Sequence, residues 1–176
     1  VKGQQGAGGS SCLKHFAANS QEFKRQNGDS RIDPRALREI YLTAFEMAVK
    51  EAQPGAVMCA YNKLNGVHCS DSRPLLDSIL RKEWGFDGMV VTDWGALNDR
   101  VAAFRAGCDL NMPGGSHFME RAAVEAVRSG QLEEAAVDAS VSRILRLALR
   151  PAPTGSFDWE AHDQLACQVA ERGAVL

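Results

Sequence analysis

Short apolar runs alternate along this chain with longer segments whose apolar residues recur at three- and four-residue spacing. Ser10–Phe16 predicts a first strand, and a polar loop over Asn19–Arg31 follows it. Asp33 then suits an N-cap, with Pro34 at the first helical position, where a missing N–H costs no hydrogen bond. Leu37, Tyr41, Ala44, Phe45, Ala48 and Val49 share one helical face, predicting a helix to about Ala52 that Pro54-Gly55 stops. Ala56–Tyr61 predicts a second strand, and Asn65-Gly66 marks a turn in the loop beyond. Asp71 or Ser72 can cap a helix over Pro74–Glu83, whose apolar face is Leu75, Leu76, Ile79 and Leu80. Gly88–Asp93 is the clearest strand, because Met89-Val90-Val91-Thr92 is the continuous β-prone run of a strand covered on both faces. A helix near Leu97–Ala106, a short strand at Cys108–Met112 and helices over Phe118–Ser129 and Glu133–Leu149 come next. Pro151-Ala152-Pro153-Thr154-Gly155 breaks the pattern before a last helix, Glu160–Arg172.

Strand–helix alternation of this kind predicts an α/β fold with a parallel sheet and helical crossovers. About four units are visible. A closed (β/α)8 barrel needs eight strands and typically ~250 residues, whereas a doubly wound open sheet closes its core with four or five, so the pattern alone admits both. With 176 residues, 45% hydrophobic and 24% charged, the composition is that of a globular domain rather than a disordered chain. The 20 basic and 22 acidic side chains leave a net charge of −2 without blocks of one sign, so nothing electrostatic argues for nucleic acid or an anionic membrane as partner. No apolar run approaches the ~20 residues that cross a bilayer.

Val1-Lys2-Gly3-Gln4-Gln5 holds neither an initiator methionine nor a signal-peptide core, and a start inside a longer chain is expected. Five cysteines occur with no Cys-x-x-Cys pair. Cys12, Cys59 and Cys108 lie in or beside apolar runs and read as buried reduced thiols, which favours a cytoplasmic setting. The histidines at 15, 68, 117 and 162 are scattered, and no metal site is expected.

Polar residues collect where the predicted strands end: Lys14-His15 after the first, Tyr61-Asn62 after the second, Asp93-Trp94 after the third, Asp109 and Asn111 in the fourth. That edge is where parallel α/β sheets bind their ligands. Alternation places Met89, Val91 and Asp93 on one face, so the Asp93 carboxylate belongs at the rim of a buried floor. It can cap a helix starting near Gly95, or it can act as a carboxylate nucleophile. Gly3-Gln4-Gln5-Gly6-Ala7-Gly8-Gly9 does not make a phosphate loop, because Ser11 stands where Gly-x-Gly-x-x-Gly needs glycine and no Gly-Lys-Ser/Thr follows. It reads as a flexible connection.

Five ordered segments resemble glycoside hydrolase family 3, in its β-glucosidase-type members. They are Lys14-His15-Phe16-Ala17-Ala18-Asn19, Arg35–Leu42, Met58-Cys59-Ala60-Tyr61-Asn62, Gly85–Gly95 with Thr92 where serine is common, and Ala106–Gly114. The resemblance implies that residues 1–150 form the second half of a (β/α)8 TIM-like barrel. Residues 151–176 would be a linker and lead-in to a second α/β domain. It implies a retaining β-glucosidase-like exo-hydrolase of β-linked glucosides or oligosaccharides, without a cofactor. Asp93 would be the catalytic nucleophile. Lys14, His15 and Arg25, the last eleven residues after Lys14, would hold sugar hydroxyls. Tyr61 would steady the nucleophile, and Met58 and Trp94 would shape the sugar pocket. Met58 and Tyr61 have opposite strand parity, so both face the site only if the chain turns near Tyr61.

Retaining glycosidases pair their nucleophile with a second carboxyl ~5–5.5 Å away. In the family that glutamate comes from the second domain; Glu22 is the one local stand-in. Lys-His-Phe is followed here by Ala17-Ala18-Asn19-Ser20 rather than the Pro-Gly-His-Gly of the family's N-acetylglucosaminidase branch, which points to glucosidase-like or xylosidase-like members. Two other readings stand beside this one: an aldolase barrel with Lys14 as Schiff-base lysine, and a non-catalytic sugar-binding remnant. Half a barrel would leave open sheet edges that favour association.

Overall fold

A computed structural model describes residues 1–151 and 156–175 of the chain. The predicted break at Pro151–Gly155 therefore lies mostly outside the described residues. In chain order the elements are α1 (Lys2–Gly6), β1 (Cys12–Phe16), β2 (Asp29–Ser30), and α2, which is made of Pro34–Ala36, a π-wound turn Leu37–Tyr41, and Thr43–Ala52. Then come β3 (Ala56–Cys59), β4 (Lys63–Leu64), β5 (Val67–His68), a 3-10 turn Cys69–Asp71, the π-wound α3 (Pro74–Glu83) and β6 (Met89–Thr92). The chain continues with α4 (Arg100–Ala106), α5 (His117–Arg128), α6 (Glu134–Ala148) and α7 (Trp159–Gly173).

The main sheet is parallel in the order β1-β3-β6, with Val91 bridging in parallel to Leu110 at its far edge. Neighbours in the sheet are thus neighbours in the chain. A doubly wound sheet reverses its strand order; this one does not, and the observed order is that of a barrel segment. The predicted fourth strand, Cys108–Met112, survives as that single bridge.

One face of the sheet is covered by helices. Val57, Cys59 and Val90 point into a core with Leu42, Val49, Leu76, Leu80, Ala103 and Ala106, all buried. Phe16 closes it edge-on against Phe45 and Trp84, with centroids 5.0 and 5.8 Å away. Each fully buried Leu or Val there contributes about 1.5–3 kcal/mol. The other face carries Ala56, Met89 and Val91, packed with Met58, Leu110 and Met112 and with Ile144 and Leu147 of α6. Helix α6 crosses at the starts of the strands: a side chain at Gly55 would lie 3.1 Å from Leu147 and only 1.9 Å from the Ser10 hydroxyl, so any larger residue makes both neighbours shift. This second face is sealed at the bottom and polar at the top.

Local rules account for most boundaries. Asp33 Oδ1 accepts from the Arg35 and Ala36 N–H groups at 3.0 Å, and α2 ends at Gln53 in the left-handed region, φ +42°. Of the two caps considered for α3, Ser72 is the one used, its hydroxyl accepting from Leu75 N–H.

Other expectations need correction. Gly3–Gly9 is not merely a flexible connection: α1 lies there, and Gln5 hooks it to the rest by bonds to Ala52 O, Gln53 O and Gly55 N–H. The polar loop over Asn19–Arg31 ends in β2, which joins β4 and β5 in a second small sheet. The turn expected at Asn65-Gly66 is present (φ +51° and +93°), but it joins two strands, β4 and β5, that hydrophobic patterning does not show. Cys12 is exposed rather than buried, because β1 pairs on one side only among the described residues, whereas Cys59, Cys69 and Cys108 are buried. The helix expected from Leu97 begins at Arg100, capped by Asp99. None of α7 is buried.

Candidate active site

Asp93 is the first residue beyond β6, its N–H donating to Cys59 O at the end of β3 (3.3 Å). Its carboxylate Oδ2 lies 3.2 Å from His15 Nε2, and Oδ1 accepts the Trp94 N–H at 2.7 Å. The side chain is 15% exposed: reachable from the rim, yet largely withdrawn from water. It caps no helix, since α4 starts later on Asp99, and that reading falls away.

The chain does turn after β3. Ala60 N–H bonds Phe16 O, and the Tyr61 ring swings back so that its hydroxyl donates to Trp94 O at 2.6 Å. Burial, and after it the Asp93 carboxylate, push the Tyr61 phenol above its ordinary pKa, while Arg25 pulls the other way. The Arg25 guanidinium stacks over that ring, 4.7 Å from its centre, and pairs with Glu22 at 2.9 Å. Trp94 is 62% exposed and sets a flat apolar ring beside the carboxylate. His15, Arg25, Tyr61, Asp93 and Trp94 therefore form one connected cluster. Lys14 sits exposed on β1, next to Ala44, Phe45 and Ala48 of α2. Met58 packs in the apolar layer below, with Ala56, Met89 and Val91.

Asp109, expected at the rim with Asn111, is instead fully buried. Its carboxylate takes Arg81 at 2.8 Å, Arg143 at 2.7 Å and the Val90 N–H at 2.8 Å. Burial holds the Arg81 guanidinium below its ordinary pKa despite Asp109. Thr92, the last residue of β6, accepts the Met112 N–H at 2.9 Å and donates weakly toward Asn111 and Met112 oxygens. Glu22 is 72% exposed and ion-paired, the opposite of the apolar setting a general acid requires.

Two residues were missed as site residues. Asn62, noted only as a strand-end polar residue, is 3% exposed and bonds Ala17 O and Lys63 O. Ser30 gave no sequence signal. A polar cavity of about 300 Å³ opens beside Arg25, lined also by Asn19, Gln21, Asp29 and Asn62. Among the described residues no group of three or more His, Cys, Asp or Glu is placed to hold a metal ion.

This geometry defines an α/β barrel protein with a polar cluster gathered at the carboxyl ends of its strands. Residues 1–147 match the glycosyl hydrolase family 3 N-terminal domain, and the chain belongs to that family. It is 48% identical to the thermostable beta-glucosidase B of Acetivibrio thermocellus, over 100% of this chain and 24% of that protein. It is 45% identical to an exo-alpha-(1->6)-L-arabinopyranosidase of Bifidobacterium longum, again over 100% of this chain and 24% of the relative. The structure of beta-glucosidase 3B from Thermotoga neapolitana in complex with glucose superposes with a TM-score of 0.89 at 41% identity, over 98% of this chain and 26% of that one. The chain thus spans about a quarter of the length of the relatives it matches.

Proposed function

We propose that this chain carries the nucleophile side of the active site of a retaining β-glucosidase. The observation that supports it is the Asp93 carboxylate held by His15 and by the Trp94 N–H at a strand's carboxyl end. An Asp93 oxygen attacks the anomeric carbon as the bond to the leaving oxygen breaks, and an acid donates its proton to that oxygen. Water, deprotonated by the same group, then displaces Asp93 from the sugar. The family resemblance implies that this proton comes from a glutamate of a second domain, and Glu22, exposed and paired with Arg25, is poorly suited to replace it.

Tyr61 acts through the backbone, fixing the Trp94 carbonyl and so the turn that aims Asp93. His15 and Arg25 donate to sugar hydroxyls, Trp94 stacks on the ring and Met58 forms the floor, while Lys14, which lies beside α2, joins them only if its long side chain turns toward the sugar. The cluster stays preorganised, so bonds to the sugar strengthen as charge develops at the anomeric carbon. Lys14 as a Schiff-base lysine has less support, because it is exposed where such an amine needs desolvation.

The Bifidobacterium relative favours a second specificity on the same site. An α-L-arabinopyranoside presents its anomeric bond in the same sense as a β-D-hexopyranoside and has no exocyclic hydroxymethyl group. A 2-fluoro-β-glucoside given to the complete gene product is expected to add one sugar mass to the peptide holding Asp93. Label on another carboxylate would overturn the assignment. Turnover of p-nitrophenyl β-D-glucopyranoside against p-nitrophenyl α-L-arabinopyranoside decides between the two specificities.

A further inference from the structure

The loop that carries Arg25 leaves the end of β1 and returns in β2, and its two ends are tied at one point. The Ser30 hydroxyl donates to Ala18 O at 2.8 Å. The buried Asn62 amide nitrogen stands 3.2 Å from Ala17 O, 3.4 Å from Ser30 Oγ and 2.9 Å from Lys63 O. One amide group therefore joins the strand end bearing Lys14 and His15, the return of the Arg25 loop, and the turn bearing Tyr61. Pairing of Asp29-Ser30 with Lys63-Leu64 extends the tie, and Asn65 adds bonds to both Ile32 N–H and Ile32 O. Between these ends the loop rests on little else: Phe23 is 73% exposed, and Arg25 meets the barrel through the Tyr61 ring.

We propose that Asn62 and Ser30 form a clasp at the base of this loop, and that as positioning residues they set the reach of Arg25 toward the sugar. The inference rests on the glucosidase reading above. A loop whose ends are fixed has few conformations, and Arg25 then bonds its hydroxyl without first ordering the chain. Opening the clasp releases the loop and spends that bond on reordering it. The chemistry at Asp93, held by β6 and His15, is left in place.

The test uses the complete gene product with p-nitrophenyl β-D-glucopyranoside, comparing the unmodified protein with Ser30→Ala, Arg25→Ala and the double variant. Loss of the bond to Ala18 O and of the long one from Asn62 predicts a fall of about 3- to 10-fold in kcat/KM for Ser30→Ala, carried by KM, with kcat within about twofold. In the Arg25→Ala background the Ser30 substitution is expected to have no further effect, because the two act as one unit. Additive effects would overturn the proposal, since a purely structural loss is indifferent to Arg25. Asn62→Ala is expected to act more strongly and to lower kcat as well, because it also loosens the turn bearing Tyr61; should it fail to fold, Ser30→Ala, which removes a single oxygen, carries the test. Amide hydrogen exchange over residues 19–28 reads the clasp independently of activity. Faster exchange in Ser30→Ala is expected, and unchanged exchange would refute it. Fluoro-sugar labelling of Asp93 in the same variants tests the underlying reading separately.

Discussion

Asp93 and Asp109 stand on adjacent parallel segments, and their surroundings are opposite. Asp109 is shut away from water and saturated by two guanidiniums and a backbone N–H. Asp93 keeps part of its carboxylate open and meets one imidazole and one N–H. Arg81 and Arg143 come from α3 and α6, so the Asp109 cluster ties two helices to β6 just upstream of Asp93. A buried carboxylate survives only when each lone pair is matched by a donor, and that matching leaves nothing for a substrate. The difference teaches which aspartate is spent on holding the fold and which keeps a carboxylate open to the rim.

That contrast can be broken most forcefully at Asp93. Asp93→Asn is expected to lower kcat of the complete gene product by on the order of 10³-fold or more, while thermal stability changes by less than about 1 kcal/mol. Comparable losses of both would erase the distinction. Asp109→Ala should do the reverse. Leaving the largely buried Arg81 and the partly buried Arg143 without their partner costs about 3–5 kcal/mol, measurable as a fall in urea midpoint.

Thr92→Val probes the boundary between the two. It preserves shape but strips the Met112 N–H of its acceptor, with an expected loss of about 1–2 kcal/mol. Activity at fixed temperature should fall less than about tenfold, and a larger fall would show that Thr92 aims Asp93 directly.

The smallest effect lies in the buried core. Burial raises the Cys69 thiol from 9.0 to about 11, so folding contributes stability from this group that is whole below pH 9 and fades as the pH rises through 11. In Cys69→Ser the decline of the urea midpoint over that interval should be shallower. A thiol reagent at pH 8 should find exposed Cys12 and Cys167 in the native protein, and Cys59, Cys69 and Cys108 only after unfolding.

Much of this was legible along the chain. The continuous run Met89–Thr92 is buried at every position, and Asp33-Pro34 caps and opens α2 as its chemistry requires. His15, Arg25, Tyr61, Asp93 and Trp94 do converge. The two-residue strands β2, β4 and β5 were not legible, because a strand so short has no alternation to read, and its stability comes from partners elsewhere. Cys12 misled because apolar neighbours in sequence say nothing about which edge of a sheet a strand occupies.

The amino-acid sequence by itself determined the alternation of strands and helices, the caps and stops, and the set of polar residues at the strand ends. These follow from rules acting within a turn or two of chain: side-chain periodicity, capping hydrogen bonds, and the restricted dihedrals of proline and glycine. Tertiary structure alone decided that the sheet winds in one direction, that Asp109 is consumed by partners 28 and 34 residues away, and that Asn62 clasps a loop whose start lies 45 residues back. Burial and partner choice depend on every segment that packs at a point, and no local window contains them.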